Sequence, residues 1–352
     1  MTALTDTPRT HFPSPERSTA PAPPEARGLR RDEVRLLIAR PGGVTHTEFH
    51  ELPEHLEAGD LLVVNNSATV PGEIDGIHDR LGPVVVHVGS FLDDGTRHVE
   101  LRSAPSAAQA VLDARVGDVL RIGPVELTLV AEHSGRTSSP TGEGNRIWLA
   151  RVTGDLDREL ASHGRPIAYG YLHHRYPLAD YQTIFASRPG SVEMASAGRP
   201  ISERLLSRLV ARGVLVATVT LHTGFSSQEV GEAPAAEWFD VPRGTAELVN
   251  ATRRRGGRVV AVGTTVTRAL ESAVDGDGQV VRASGWTNRV ISPSEPARVV
   301  TGLVTGWHDP QASHLLLVES VAGAELTQSA YDQAWAEGYL WHEFGDSALL
   351  LP

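Results

Sequence analysis

The sequence contains no cysteine and no lysine among its 352 residues. Without cysteine, the chain has no disulfide, no thiolate metal site and no cysteine nucleophile. All 32 basic residues are arginine, so Schiff-base chemistry on a lysine side chain is also excluded. No apolar run approaches the roughly 18 residues of a membrane-spanning helix, and no basic start followed by an apolar stretch marks a secretory signal. We therefore expect a cytoplasmic protein with no membrane partner.

The chain also lacks an excess of positive charge, because its formal net charge is -11 and its isoelectric point is about 5.7. Neutralised phosphates supply most of the non-specific affinity of proteins for nucleic acids, so this balance argues against a strongly basic face. A local basic patch is still compatible with it. The length and the hydrophobic fraction of 40% predict one large domain and one smaller domain.

Three patterns divide the chain. Residues 1–28 are rich in Pro, Thr, Ser and Ala without periodicity, which predicts a disordered tail. Between residues 72 and 153, short β-branched runs separated by Gly, Pro, Asp and Ser predict an inserted antiparallel β-barrel. Residues 29–71 and 154–352 alternate helix and strand patterns, which predicts an α/β domain with a mainly parallel sheet and covering helices.

The individual elements follow from the same patterns. In the α/β domain we predict strands at residues 34–38, 60–64, 214–221 and 258–262, and helices at 201–212, 244–255 and 266–272. In the barrel we predict strands at residues 84–88, 98–102, 119–122, 125–130 and 147–152.

Polar residues follow three of the predicted strands of the α/β domain. They are Asn65 and Asn66 after the first, Thr220, His222 and Gly224 at the end of the second, and Gly263, Thr264 and Thr265 after the third. Open α/β sheets bind ligands at the carboxyl ends of their strands, and the helix after Thr265, which carries Arg268, offers backbone N–H groups. Each group also has a structural reading: a plain turn for the asparagines, a helix cap for Thr265, and a hydrogen-bonded structural histidine for His222.

Other candidates are isolated in the sequence. Glu237 and Asp346 are carboxylates in apolar contexts that could orient a base or counter a positive charge on a ligand, although each could equally be a surface or capping residue. His308 and His314 lie six residues apart without an HExxH motif or a nearby third ligand, so we expect no metal site.

The order and spacing of these segments resemble the S-adenosylmethionine:tRNA ribosyltransferase-isomerase family of queuosine biosynthesis. The resemblance covers residues 60–351 and rests on the segments DLLVVNNSATVPGEI, DYQTIFASRPGSVEMASAG, VTLHTGF, GRVVAVGTTVTRALES, GWTNRVISP, LVTGWHDPQASHLLLV and YLWHEFGDSALLL. The family fold is an α/β domain with an inserted small β-barrel, which agrees with the boundaries drawn from the patterns.

The resemblance implies an unusual reaction. The ribosyl part of S-adenosylmethionine is transferred to an amine on a deazaguanine of tRNA, the ribose is rearranged to an epoxycyclopentane, and adenine and methionine leave. It implies S-adenosylmethionine as the donor, tRNA as a partner and no metal. The implied catalytic residues are His222, His308, Glu237 and Asp346; the implied donor-binding residues are Asn65, Asn66, Tyr181, Gln182, Ser196, Gly198, Thr220, Gly224, Gly263, Thr264, Thr265 and Arg268.

The chain departs from the family pattern mainly where the acceptor would bind. One family histidine is Pro200 here, and a second is replaced in the segment that keeps Glu237. Acidic residues stand at three positions that are neutral in the family, namely Glu193, Asp309 and Glu343. Together with the negative net charge, these changes leave three hypotheses: the family reaction on tRNA, S-adenosylmethionine chemistry on a small acceptor or without one, and a non-catalytic nucleoside-binding protein.

Overall fold

The computed structural model describes residues 6–13, 18–133, 144–167, 170–224, 235–310 and 312–352. In chain order, these residues form the strands β1 (Arg35–Arg40), β2 (Gly43–Glu48), β3 (Leu61–Asn65), β4 (Ser67–Thr69), β5 (Glu73–His78), β6 (Gly82–Phe91), β7 (Thr96–Ser103), β8 (Val119–Ile122), β9 (Val125–Glu132), β10 (Ile147–Thr153), β11 (Arg188–Ser191), β12 (Leu215–His222), β13 (Glu237–Val241), β14 (Val259–Val262), β15 (Ala283–Thr287), β16 (Gly302–Thr305) and β17 (Ser347–Leu350). The helices are α1 (Leu156–His163), α2 (Glu203–Ala211), α3 (Arg243–Arg254), α4 (Thr264–Ser272), α5 (Ser313–Ala322) and α6 (Ala324–Ala336). The predicted combination of an α/β domain and an antiparallel barrel is confirmed.

The α/β domain contains a nine-stranded sheet with the order β15-β13-β12-β3-β14-β16-β17-β1-β2. Its centre is parallel, because β12, β3, β14 and β16 pair in the same direction. Pairings towards β15, towards β2 and between β16 and β17 are antiparallel, so the sheet is more mixed than the sequence pattern indicates. The parallel centre brings the carboxyl ends of β12, β14 and β16 to one edge of the sheet, where open α/β folds bind ligands.

Both faces of the central strand are covered by helices. All five residues of β3 are buried, and they alternate between two cores: Leu61 and Val63 pack on one side, Leu62 and Val64 on the other. Helices α3, α4, α5 and α6 contribute to the first core, and α2 contributes Leu205 and Leu209 to the second. This burial on two faces explains why the strand is a continuous apolar run.

The barrel is closed by six antiparallel strands in the order β10-β7-β6-β5-β8-β9. They run from Glu73 to Thr153 and enclose an apolar core around Trp148 and Val86. The sequence pattern missed β5, because Gly76 interrupts its alternation. An added Cβ at Gly76 would lie 3.3 Å from the side chains of Ile122 and Val86, so the interior packs directly onto the backbone there.

The prediction of a disordered tail is wrong for residues 6–13 and 18–28, whereas residues 1–5 and 14–17 lie outside the described residues. The backbone N and the hydroxyl of Thr10 donate to buried Glu319 over 2.6 and 2.7 Å. The backbone N of Trp341 donates to Ser18 O over 2.7 Å. These partners lie about three hundred positions away in sequence, so local composition cannot reveal them.

None of the helices formed by the described residues is both long enough and apolar enough to cross a lipid bilayer.

Candidate functional site

A cavity of about 500 Å³ lies at the carboxyl edge of the parallel strands, between the α/β domain and the barrel. Residues that follow β14 and β16 line it, together with residues 193–197, residues 342–343 and three side chains of barrel strands. The volume suits a nucleoside-sized ligand, and pockets at strand ends are the usual binding sites of α/β folds. We take this cavity as the candidate site.

The turn between β14 and α4 forms one wall of the cavity. Gly263 has a φ of 95°, in the left-handed region that favours glycine, and its backbone N donates to Val304 O over 2.8 Å. Thr264 and Thr265 are the first two residues of α4, so their backbone N–H groups stand at a helix N-terminus. Because the N-cap is Gly263, the alternative of Thr265 as a simple cap is wrong.

A buried ion pair forms a second part of the wall. The guanidinium of Arg268 on α4 donates to the carboxylate of Glu237 on β13, and its second amino group donates to Ala235 O and Thr287 O over 3.2 and 3.3 Å. Burial raises the pKa of Glu237, while the charge of Arg268 and a backbone N–H at Gly224 act in the opposite direction. Glu237 and Arg268, selected from separate segments of sequence, are therefore brought together at the cavity.

His308 follows β16 and also lines the cavity. Its Nε2 lies 3.0 Å from Thr305 Oγ1, and its ring stacks on that of His314 with 4.8 Å between the centroids. Burial, followed by the neighbouring His314 and His342, holds the pKa of His308 well below its usual value of 6.5. The ring is therefore neutral at neutral pH.

Several cavity residues were not singled out as site residues from the sequence. Burial and the nearby Arg268 lower the pKa of His314 to about 4. His342 stacks on Tyr171 with 4.7 Å between the centroids, and burial raises the pKa of its neighbour Glu343 to about 7. The sequence contained one signal for these residues: they are titratable side chains inside segments that otherwise resemble the family.

The barrel contributes a charged network to the same cavity through His87, Glu100 and Arg102. The two ring nitrogens of His87 lie 3.2 Å from Glu73 and 3.1 Å from Glu100. Arg146 donates to Glu100 over 3.0 Å, and Arg165 donates to Glu73 over 2.6 Å. Since Arg165 follows the barrel in sequence, this network ties the barrel to the adjoining chain. Sequence reasoning missed the network because its members are far apart in the chain.

The asparagine turn supports the site from outside the cavity lining. Asn65 accepts from Leu221 N and Ser67 N over 3.1 and 3.0 Å, and its amide nitrogen lies 3.4 Å from Thr265 Oγ1. Asn66 accepts from the hydroxyl of Thr220 over 2.7 Å. These bonds lock the ends of β3, β12 and α4 together. Asn65, Asn66 and Thr220 thus position the turn at Gly263–Thr265, and their predicted role in donor binding stays a prediction.

His222 lies at the end of β12 but not in the cavity lining. Its Nδ1 is 2.8 Å from Ser67 Oγ, and its ring stacks on Trp238 with 5.2 Å between the centroids. Burial and the neighbouring Arg188 lower its pKa. These contacts match the structural alternative for His222.

Four further predicted binding residues divide between the cavity and its surroundings. Ser196 lines the cavity. Gln182 is engaged by both the N and the O of Thr69, over 3.0 and 2.8 Å, and Tyr181 is buried against Phe344. Gly198 lies in a short 3-10 helix, Ser196–Gly198, next to the lining. Tyr181 and Gln182 therefore have a structural role, because they fix the chain that leads to residues 193–197 of the cavity wall.

Asp346 is not part of the cavity lining. Its two oxygens accept from the backbone N of Arg35 over 2.9 Å, from the guanidinium of Arg35 over 3.0 Å and from Leu340 N over 2.8 Å. The carboxylate is buried and its acceptor capacity is used by β1 and by the turn before β17. The geometry gives Asp346 an anchoring role, and its predicted catalytic role stays a prediction.

One group with a geometry suited to a metal ion occurs among the described residues, formed by His78, Asp79 and Asp118. It belongs to the barrel and does not line the cavity. Arg80 donates to Asp118 over 3.0 Å, so an arginine already occupies this carboxylate.

The comparisons with known proteins agree with this architecture. The family described as queuosine biosynthesis protein matches residues 8–350. The S-adenosylmethionine:tRNA ribosyltransferase-isomerase of Gloeobacter violaceus is 37% identical, over 96% of this chain and 94% of its own. The enzyme of the same name from Xanthobacter autotrophicus is 32% identical, over 97% of both chains.

A solved structure gives the same result. The crystal structure of S-adenosylmethionine tRNA ribosyltransferase from Thermotoga maritima superposes with a TM-score of 0.53 at 25% identity, covering 97% of this chain and 99% of that one. The resemblance inferred from the sequence is confirmed, and the chain belongs to the queuosine biosynthesis protein family.

Proposed function

We propose that this chain is an S-adenosylmethionine-dependent ribosyltransferase-isomerase that acts on tRNA, with the cavity as its active site. The observation that supports this most directly is the position of the Glu237–Arg268 pair and the Gly263–Thr265 turn on one cavity wall, at the carboxyl edge of the parallel strands. Family membership supplies the class of reaction, and the cavity supplies a place for it.

The donor binds against the turn and the start of α4. The backbone N–H groups of Thr264 and Thr265 lack intrahelical partners, so they can donate to ribose hydroxyls or to the carboxylate of the methionine part. Thr264 is largely buried and lines the cavity, and Ser196 lies in the same lining. Asn65 holds this turn in place through Leu221 and Thr265.

Glu237 is the base that starts the rearrangement. The sulfonium of the donor acidifies the adjacent ribose carbon, and a carboxylate at that carbon can take the proton. Burial raises the pKa of Glu237 and so increases its affinity for a proton, while Arg268 keeps the carboxylate in a fixed orientation. The low exposure of both side chains strengthens the electrostatic interaction between them.

His308 acts as a neutral hydrogen-bonding group. Its lowered pKa leaves the ring uncharged, and Thr305 engages its Nε2. A neutral ring beside the cationic donor avoids the repulsion that an imidazolium would cause.

The test is the release of adenine and methionine from S-adenosylmethionine by the purified protein, with and without tRNA that carries the deazaguanine amine. We expect release that depends on the tRNA. Release without any tRNA would indicate donor cleavage, and tight donor binding without release, with or without the tRNA, would indicate a small acceptor or a non-catalytic nucleoside-binding protein.

A further inference from the structure

Glu343 is a carboxyl group in the cavity wall, and none of the described residues places a cation beside it. It lies in the segment between α6 and β17 and contributes to the lining. Its Oε2 is buried and has no hydrogen-bond partner among the residues that the structure describes. A buried acceptor without a donor is destabilising, so such a group in a binding cavity indicates a donor that arrives with the ligand.

Other buried carboxylates that line the cavity differ from Glu343 in this respect. Glu237 is bonded to Arg268, and Glu100 is bonded to His87 and Arg146. For Glu343, burial raises the pKa to about 7, and the opposing influence comes from its own backbone N–H, without a contribution from any cation in the described part of the chain. A cation that entered the cavity would therefore find an uncompensated acidic group.

The surroundings of Glu343 are those of a binding wall. The preceding residue, His342, has a φ of 69°, in the left-handed region that non-glycine residues rarely adopt. Its ring is stacked on Tyr171 at an interplanar angle of 15°, and its Nε2 lies 3.6 Å from Asp309 Oδ1. The carboxylate of Asp309 already has His342 as a neighbour, and its side chain is 54% exposed. Water therefore screens the charge of Asp309 more than the charge of Glu343.

The unpartnered Oε2 of Glu343 restricts which chemical group of a ligand can bind there. A sulfonium carries positive charge but has no hydrogen to donate, so it cannot satisfy an unpartnered carboxyl oxygen. A primary ammonium group has three donors and a positive charge, and it would also lower the pKa of the carboxyl on binding. A primary ammonium group therefore fits both features of Glu343, the unpartnered buried oxygen and the raised pKa.

We propose that Glu343 is the binding residue for a primary ammonium group of a substrate. This inference rests on the proposed function, which offers two sources of such a group: the α-ammonium of the methionine part of the donor, and the protonated amine of the acceptor. Either source would be held by a charge-assisted hydrogen bond to the buried Oε2 of Glu343.

The experiment compares wild type, Glu343→Gln, Glu343→Asp and the control Glu337→Gln. Glu337 lies on the surface at the end of α6, so its replacement removes the same charge outside the cavity. Calorimetry measures the affinity of each protein for S-adenosylmethionine and for methylthioadenosine, which lacks the amino-acid part. Adenine release at saturating donor measures KM for the tRNA, and thermal unfolding confirms that each variant is folded.

If the donor supplies the ammonium, Glu343→Gln weakens S-adenosylmethionine binding roughly 10- to 100-fold and leaves methylthioadenosine binding unchanged. If the acceptor supplies it, donor affinity is unchanged and KM for the tRNA rises by a similar factor. In either case Glu343→Asp retains part of the effect of the carboxylate, and Glu337→Gln behaves like wild type.

The proposal is overturned if Glu343→Gln changes neither donor affinity nor acceptor kinetics by more than about threefold, the scale of a weak surface contact. It is also overturned if Glu337→Gln produces the same losses, because the effect would then come from overall charge. Failure of wild type itself to bind the donor or release adenine would instead refute the proposed function.

Discussion

The guanidinium of Arg268 on α4 donates directly to the carboxylate of Glu237 on β13, so that a buried ion pair closes one wall of the cavity. The two residues come from segments that are 31 positions apart. In a buried pair, each partner depends on the other for compensation of its charge. The contribution of the pair to stability and the role of Glu237 as a base can be measured separately in variants of the two residues.

Glu237→Gln should lower donor turnover by roughly a hundredfold or more, because an amide cannot take a proton. It should also lower the free energy of unfolding, because Arg268 is left buried without an anion, although the amide oxygen that still accepts from Arg268 limits the loss. Arg268→Gln should lower the free energy of unfolding by about 3–5 kcal/mol, because it leaves Glu237 buried without a cation. The double variant should regain much of the stability and none of the turnover. Urea unfolding and adenine release measure the two effects; equal turnover in wild type and Glu237→Gln would contradict the role of the base.

Thr264→Arg should abolish donor binding. A long cationic side chain at the start of α4 would fill the part of the cavity next to the Gly263–Thr265 turn and would repel the sulfonium. The control is Thr153→Arg at the exposed end of β10, which adds the same side chain away from the cavity. Calorimetry with S-adenosylmethionine should show one site in the control and no measurable heat in Thr264→Arg. Unchanged affinity would show that the donor binds elsewhere.

The turn at Gly263–Thr265 was predictable, because the sequence signals for it are local. A four-residue apolar run followed by Gly-Thr-Thr and an amphipathic segment predicts a strand, a turn and a helix, and the structure has β14, Gly263 and α4 at those positions. The same local reasoning identified residues 214–221 and 258–262 as strands, within one residue of β12 and β14 at each end.

Long-range pairing was not predictable in this way. Asp346 looks like a free carboxylate in its own segment, and only the fold shows that Arg35, 311 positions away, occupies it. The barrel network likewise depends on Arg165 reaching back 92 positions to Glu73. A sequence pattern gives the type of a residue and its secondary structure, whereas the partners that decide its role come from packing.

His308 and His222 should respond differently to replacement. His308→Ala should lower turnover by roughly a hundredfold, whereas His308→Gln should retain much of it, because an amide can replace a neutral ring as a hydrogen-bonding group. His222→Ala should reduce stability through the loss of Ser67 and Trp238 contacts, with turnover within about threefold of wild type. Adenine release at saturating donor separates these cases. Equal loss in His308→Gln and His308→Ala would assign proton transfer to His308.

The last prediction concerns the stability of the barrel as a function of pH. Burial alone would raise the pKa of both buried carboxyls, but hydrogen bonds and charge from His87 and from arginines lower the pKa of Glu73 and of Glu100 to about 2. Burial alone would lower the pKa of His87, but the two carboxylates raise it above 6.5. The network is therefore fully charged at mildly acidic pH.

The signs follow from linkage. The two carboxyls stabilise the barrel above their usual pKa of 4.5, and this contribution is lost as the pH falls towards 2. His87 stabilises it below its usual pKa of 6.5, and this contribution is lost as the pH rises through the raised value. The network should thus stabilise the barrel most between about pH 4.5 and 6.5. Hydrogen exchange of β5, β6 and β7 as a function of pH measures this directly.

His87→Gln provides the control, because it keeps a hydrogen-bonding side chain and removes the titrating group. It should destabilise the barrel by about 2 kcal/mol at pH 6, through the loss of charge-assisted hydrogen bonds to Glu73 and Glu100. As the pH rises above 6.5 the difference from wild type should shrink, since the stabilisation by charged His87 is lost as the pH rises through its raised pKa. A difference that stays constant over the same range would show that His87 does not titrate there and would contradict the raised pKa.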